Sequence, residues 1–379
     1  MTEPSANPIR VLVVDDSAFM RTALRRMIES DPALRVIDTA CDGQEGVQKA
    51  LHLRPDVITM DVEMPRMSGL DALSKIMEAA PCPVIMVSSL TRAHADATLE
   101  ALSRGAYDFL SKDLSYASLD IVRIKDDLIA KCKAAVTRQR RPPQAQRIAP
   151  PVRESIYKAA ARSARRFAVP RLVCLGTSTG GPKALQRILP LLPADLAVPV
   201  AIVQHMPPGF TGPFARRLDS LCKMRVKESE PNEPLLPGVI YIARAGEQLR
   251  VLRRITGACA HMSLVPTNTL HIPSVDVLMH SAAEQFGQHV MGVILTGMGC
   301  DGQQGMSAIY RAGGYTLGED EATCTVYGMP RACAEAGILH NVLGLDAIPG
   351  EIVRMVENAG SPTASASSNA SSNSALSAG

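Results

Sequence analysis

The feature that most constrains this chain is a repeated pattern: a short apolar run, a polar residue at its end, then a helical stretch. Ile9 to Val14 ends in Asp15-Asp16, and the stretch from Ser17 to Ile28 places Phe19, Met20, Leu24, Met27 and Ile28 on one helical face. Leu34 to Ala40 reads as a second strand, with a helix from Gly43 to Leu53 behind it. Asp56 to Met60 ends at Asp61 and precedes a helix from Gly69 to Ala79. Pro83 to Val87 ends at Ser88-Ser89 and precedes a helix from Ala93 to Arg104. Tyr107 to Leu110 ends at Lys112, and a long helical pattern runs from Ser115 toward Ala135. Such alternation implies a parallel sheet with helices on both faces, and ligands of such sheets bind at the carboxyl ends of the strands.

Asp15, Asp16, Asp61, Ser88 and Lys112 all fall at that edge. Isolated loop carboxylates are usually just solvated, but a converging set repels itself unless a cation joins it. Hard oxygen donors suit Mg²⁺, which keeps waters and recruits a phosphate. Lys112 can pair with a phosphoryl group, and Ser88 can hydrogen-bond to it.

The second half repeats the pattern. Arg171 to Leu175 is a buried strand, followed by Gly176-Thr177-Ser178-Thr179-Gly180-Gly181 and a helix from Pro182 to Leu189 with proline in its first turn. The hexapeptide fits G-x-S-x-G, a serine nucleophile on a sharp turn. Gly176 and Gly180 tolerate tight angles and leave room for a substrate, and the helix N-terminus favours a developing oxyanion. A Gly- and Ser-rich turn alone could equally cradle a phosphate or nothing. Its company decides: Val198 to Val203 leads to His205, and Val290 to Leu295 leads to Asp301. Three parallel strands thus bring a hydroxyl, an imidazole and a carboxylate to one rim. Serine is a weak nucleophile, the imidazole takes its proton, and the carboxylate orients the imidazole.

His261, His271, His280 and His289 compete, but only His205 terminates an apolar strand. Asp276 rivals Asp301, yet it follows Pro273-Ser274-Val275 at a helix start, where aspartate often caps. The order Ser…His…Asp differs from the Ser…Asp/Glu…His of α/β-hydrolases, so that fold is not implied. Val239 to Ala243 and Leu249 to Leu252 read as an antiparallel hairpin around an Ala-Gly turn.

Between the halves, ten Lys or Arg occur from Arg138 to Arg171 against one acid, Glu154, with Pro142-Pro143 and Pro150-Pro151 breaking regular structure. This is a basic linker, with a helix proposed from Arg153 to Phe167; it reads as a solvated spacer before an anion-binding patch. The expected division is residues 9–130, a linker at 131–168, a second domain at 169–357, and a disordered Ser/Ala/Asn tail at 358–379. With nine scattered cysteines and no C-x-x-C, a reducing compartment with free thiols is expected, and no structural zinc. A net charge of +3 and 3% aromatics do not call for nucleic acid. Residues 1–10 carry no apolar signal core and no apolar run approaches the length of a membrane span, so a cytoplasmic protein without membrane insertion is expected.

On Val13-Val14-Asp15-Asp16-Ser17, Met60-Asp61-Val62-Glu63-Met64-Pro65, Met86-Val87-Ser88-Ser89 and Phe109-Leu110-Ser111-Lys112, the first part resembles the receiver domains of two-component response regulators. The resemblance implies a flavodoxin-like fold and a phosphoryl group accepted by Asp61 from a histidine kinase. It also implies Mg²⁺ among Asp15, Asp16, Asp61 and the backbone carbonyl of Glu63, with Ser88 and Phe109 as the switch pair and Lys112 beside them. Receivers usually carry proline after the lysine; here it is Asp113.

The second part, on Gly176 to Gly181, Gln204-His205-Met206-Pro207, Pro273 to Leu278 and Thr296 to Gly302, resembles the protein-glutamate methylesterases of bacterial chemotaxis. That implies a Rossmann-like domain without a cofactor of its own. Ser178 would be the nucleophile, His205 the base and Asp301 its partner, with the backbone at Met298 and Thr179 supporting the oxyanion. The implied substrates are methyl esters, and certain glutamines, on chemoreceptors, and the unphosphorylated receiver would mask the cleft. Ile272 stands where an arginine commonly precedes the proline. Two rivals are kept: a DNA-binding regulator, and a non-catalytic receptor adaptor.

Overall fold

Val11 to Val14, Val57 to Asp61 and Val84 to Ser88 are buried at every position, as strands covered on both faces must be. In the computed structural model, which describes residues 7–88, 92–112, 118–139, 167–255 and 257–357, they form a parallel sheet. Its elements are β1 (Ile9–Val14), α1 (Ala18–Glu29), β2 (Leu34–Ala40), α2 (Gly43–Leu53), β3 (Val57–Asp61), α3 (Gly69–Ala79), β4 (Val84–Ser88), α4 (Arg92–Ser103), β5 (Asp108–Ser111) and α5 (Ser118–Gln139). The strand order is β2-β1-β3-β4-β5. Ser17, Asp42 and Ser68 cap α1, α2 and α3 with their side chains, each contact worth about 1 kcal/mol.

The second sheet is larger and also wholly parallel, in the order β14-β13-β12-β6-β7-β9-β8. It comprises β6 (Leu172–Thr177), β7 (Val200–Gln204), β8 (Arg225–Glu228), β9 (Val239–Ile242), β12 (Val290–Ile294), β13 (Tyr315–Glu319) and β14 (Asn341–Leu343). Helices α6 (Gly181–Ile188), α7 (Thr211–Asp219), α8 (Val275–Phe286), α9 (Gln303–Arg311), α10 (Met329–Glu335) and α11 (Ile348–Glu357) accompany it. A separate hairpin pairs β10 (Gln248–Arg254) with β11 (Gly257–Ser263). The fold class is therefore the expected one: two parallel-sheet α/β units and an antiparallel hairpin.

The hairpin is not where the sequence reading put it. Val239 to Ile242 is β9, which runs parallel to β7 and β8 inside the sheet. It is apolar on both faces, which suits a covered strand. Gln248 to Arg254 is buried at one end and exposed at the other, and turns back on β11 instead. Phe19 also departs from its expected face: it is 71% exposed, while Leu24 and Ile28 carry the buried stripe of α1. The expected helix near Arg153, the local turn at Asp113 and the tail from residue 358 lie outside the described residues.

The two units touch through α4 and β5 on one side and α6 and α7 on the other. Phe109 stacks on Phe210 with ring centroids 5.0 Å apart and 17° between planes. Lys183 Nζ donates to Gly105 O at 3.2 Å, and Arg217 bonds to Ser103 Oγ.

Gly176 is small for a reason other than the turn. It lies in β6, and a Cβ there would sit 2.2 Å from Val275 Cγ1, so the glycine lets the start of α8 approach the strand. Gly176→Ala should overpack this contact and cost about 1–3 kcal/mol. Gly350→Ala, whose Cβ meets open space on α11, should instead stabilise by up to about 1 kcal/mol. Thermal melts of the two variants check the contrast; a Gly176→Ala protein melting with the wild type would show that this approach is not tight.

Candidate active site

The larger sheet reverses direction between β6 and β12: the chain runs outward from β6 through β7, then returns on the other side of it. Such a switch point leaves a crevice beyond the strand ends. Thr177 is in register with Gln204, so Ser178 and His205 leave adjoining strands side by side. Ile294 is in register with Gly176, and the Ser178 N–H donates to Thr296 O at 3.0 Å. A Cβ placed on Gly297 would lie 2.9 Å from the Ser178 Cβ, so the serine side chain stands against the loop that carries Asp301.

The turn is fastened on both sides. Gln204 Nε2 donates to Ser178 O and to His205 O, each at 3.0 Å. Thr177 Oγ1 donates to Thr296 O at 2.8 Å, and Thr296 Oγ1 to Thr179 O at 2.9 Å. The Thr296 N–H ends on the fully buried carboxylate of Glu319 at 2.8 Å. Gly180 has φ +79°, and a Cβ there would sit 2.3 Å from Thr325, so this second glycine of the motif does serve the turn. Neither the Thr179 nor the Met298 amide is taken up by another hydrogen bond among the described residues.

His205 and Asp301 meet directly: Nε2 lies 2.7 Å from Asp301 Oδ2. The opposite ring nitrogen, Nδ1, is buried and has no hydrogen-bond partner among the described residues. A neutral imidazole with its proton on Nε2 donates to the carboxylate and keeps a lone pair on Nδ1. No hydrogen bond joins the Ser178 hydroxyl to that nitrogen among the described residues; contacts of this kind often close only around a substrate.

Asp301 is gripped by the N-terminus of α8. Its Oδ1 accepts from Ser274 Oγ at 2.8 Å and Asp276 N at 3.1 Å, and its Oδ2 also accepts from Val275 N at 2.8 Å. Burial alone would raise this carboxyl. The hydrogen bond from His205, its positive charge once the ring is protonated, and the amides of Asp276 and Val275 outweigh it and hold the group well below the usual carboxylate range. Asp276 makes no hydrogen bond to His205 among the described residues. Its carboxylate accepts from Gly305 N at 2.7 Å, and burial pushes it up. The sequence reading missed Ser274 as a ligand of Asp301. A serine before a helix ordinarily caps its own helix, and nothing local points it to a carboxylate 27 residues on.

A second cluster occupies the switch point of the smaller sheet, between β1 and β3. Oxygens of Asp15, Asp16 and Asp61 lie within 4.8 Å of one another. Lys112 Nζ sits 2.9 Å from Asp15 and 2.5 Å from Asp61. Burial raises the Asp61 carboxyl, against the pull of Lys112. Three carboxylates facing one ammonium leave negative charge over, and an all-oxygen donor set fits a hard divalent cation. Ser88 is buried at the end of β4, and the Lys112 N–H donates to its carbonyl at 2.7 Å. Phe109 is buried, its ring facing the second unit.

An acidic switch-point cluster in one unit and a hydroxyl–imidazole–carboxylate rim in the next describe a response regulator whose output domain is a hydrolase. Residues 11–122 match the family described as the response regulator receiver domain, and residues 173–352 that described as CheB methylesterase. The chain is 46% identical over 365 residues to protein-glutamate methylesterase/protein-glutamine glutaminase 2 of Nitratidesulfovibrio vulgaris, covering 91% of this chain and 98% of that one. It is 44% identical over 362 residues to the protein-glutamate methylesterase/protein-glutamine glutaminase of Symbiobacterium thermophilum, covering 94% and 99%. The Thermotoga maritima CheB methylesterase catalytic domain, a solved structure, aligns at 38% identity with a TM-score of 0.49 over 50% of this chain and 100% of that one. The chain belongs to the protein-glutamate methylesterase/protein-glutamine glutaminase family. No described helix is long and apolar enough to cross a membrane.

The lowered Asp301 carboxyl makes a stability statement. A carboxyl ordinarily near 3.8 that is held lower in the folded state adds stability above that pH and loses it as pH falls through the folded value. Melting temperature should therefore drop steeply below about pH 4 in the wild type, and less steeply in Asp301→Asn. Parallel slopes in the two proteins would show that Asp301 does not carry the effect.

Proposed function

We propose that this protein removes methyl groups from glutamate γ-methyl esters, and amide nitrogen from certain glutamines, on the cytoplasmic helices of chemoreceptors. The observation that carries the chemistry is the buried imidazole of His205, bonded to Asp301 through Nε2 with Nδ1 left without a hydrogen-bond partner among the described residues, on a residue whose backbone N–H donates to Thr177 O at 3.1 Å, next to Ser178. Nδ1 takes the Ser178 proton as the hydroxyl oxygen adds to the ester carbonyl. The Thr179 and Met298 amides receive the oxyanion. The carbonyl re-forms, the methoxy group leaves with the proton from His205 as methanol, and a glutamyl-serine ester remains. Water, deprotonated by the same nitrogen, then releases glutamate and restores Ser178; with glutamine the first product is ammonia. Asp301 stays ionised throughout and stabilises the imidazolium.

The receiver is the proposed control element. Asp61 accepts the phosphoryl group from a histidine kinase. Asp15, Asp16 and Asp61, whose oxygens lie within 4.8 Å of one another, would hold Mg²⁺ with the Glu63 carbonyl, and the ion when bound would offset the charge of the phosphoryl oxygens. Lys112 and Ser88 contact the same group, and the α4–β5 face, held to α6 and α7 through Phe109 and Phe210, shields the cleft until that contact loosens.

Methanol released from methylated receptor is the direct assay. Ser178→Ala should fall by a factor of about 10⁴ or more, and Asp301→Asn by about 10³–10⁴. Asp61→Asn should keep a low basal rate that acetyl phosphate no longer raises, because the phosphoryl group only shifts an existing equilibrium. Full methanol release by Ser178→Ala would overturn the nucleophile assignment, and a wild-type response in Asp61→Asn would overturn the switch.

A further inference from the structure

The face of His205 is covered by a second imidazole. The His271 ring stacks on it with centroids 3.9 Å apart and 18° between planes. His271 belongs to the loop between β11 and α8, a segment without regular structure from Leu264 to Pro273. That loop is clamped from the hairpin. Gln248, the first residue of β10, is completely buried. Its side-chain amide donates to Pro266 O at 3.1 Å and Thr269 Oγ1 at 2.8 Å, and its carbonyl oxygen accepts from Ser274 N at 2.8 Å. Thr269 Oγ1 in turn donates to His271 O at 2.8 Å, and Gly246 N donates to Ile272 O at 3.2 Å.

A buried amide is tolerated when its hydrogen-bonding capacity is used, and here both donors and the acceptor are. The consequence is geometric. One side chain holds the loop before and after His271, and the far end of the clamped stretch is Ser274, which bonds to Asp301. The hairpin therefore sets the ring that lies on the base and, through Ser274, the carboxylate that orients the base.

We infer that His271 is a positioning residue for the hydrolysis. Its ring is a wall that keeps the His205 imidazole in the orientation where Nε2 meets Asp301 and Nδ1 is left for the serine, and Gln248 holds the wall. The inference rests on the assignment of Ser178, His205 and Asp301 proposed above. A loosened imidazole still lets substrate bind but meets the serine hydroxyl in the wrong geometry, so the loss belongs in kcat rather than KM.

The test uses the full chain, activated with acetyl phosphate, and measures kcat and KM for methanol release from methylated receptor. His271→Ala should lower kcat by about tenfold to a hundredfold with KM within about twofold. His271→Phe, which restores a flat ring, should recover kcat to within about threefold of wild type. His271→Leu, of similar bulk but with no ring face, should not. Gln248→Ala should reproduce the His271→Ala loss. A His271→Ala protein within about twofold of wild-type kcat overturns the inference, as does His271→Phe being as impaired as His271→Leu. If His271→Ala does not fold, the Phe and Leu pair decides. Failure of the underlying assignment is recognised separately: Ser178→Ala or His205→Ala would then retain activity whatever stands at position 271.

Discussion

A carboxylate seated at the start of a helix it does not belong to is the contact on which the proposed catalytic rim depends. Asp301 leaves the loop after β12, and its two oxygens take the Ser274 hydroxyl, the Val275 and Asp276 amides and the His205 ring nitrogen. A buried charge is tolerated only with such partners. The helix gains as well, since the first amides of α8 have no partner within it and the helix dipole favours an anion there. Ser274, its N-cap, makes no side-chain capping bond to the helix and turns to Asp301 instead. One group thus ends a helix, orients an imidazole and ties together three segments of the chain.

The same topological device appears twice. Each sheet changes direction once, between β1 and β3 in the first and between β6 and β12 in the second. The polar residues that carry chemistry stand at those two points and at the strand ends beside them. The outcomes differ because the side chains differ. Three carboxylates and a lysine make a place for a cation and a phosphoryl group, while a serine, an imidazole and one carboxylate make a nucleophilic rim. Fold alone does not distinguish them.

Much of this was legible because buried parallel strands are apolar and end abruptly. Asp15, Asp61, His205 and Asp301 each follow such a run, and edge placement is a local property of sequence. The His205–Asp301 contact confirms that strand-end reasoning can bring residues 96 apart together. What escaped was closure between segments with no shared pattern. Ser274 and Gln248 carry no local signal that singles them out, and His271 enters the sequence only as a rival to His205 that ends no apolar strand. Their roles arise from the hairpin folding back over the rim, which no periodicity encodes. The misplaced hairpin has a related cause. A Gly246 turn between two apolar runs suggests antiparallel pairing, but β9 is apolar on both faces and is drawn into the sheet, where both faces are covered.

The contact between the two units suggests how a change at the first switch point can reach the second. Phe109 has its carbonyl held by Lys131 Nζ at 2.8 Å, and the same ammonium pairs with Asp108 at 2.8 Å and lies 5.7 Å from the Phe109 ring centre. That ring is therefore fixed from behind while its face packs on Phe210. Phe210 is fully buried and closes the short loop that begins at His205. Packed aromatic pairs do not deform gradually; they are either seated or displaced. Under the proposed gating, a receiver whose β5 edge shifts must therefore break the Phe109–Phe210 stack or carry the loop with it. The His205 imidazole is buffered against the second course. Its Nε2 is tied to Asp301 and its ring lies against His271, and both are anchored to α8 and the hairpin rather than to the loop. Under that proposal, breaking the stack is the course that leaves the His205–Asp301 contact and the His271 ring in place.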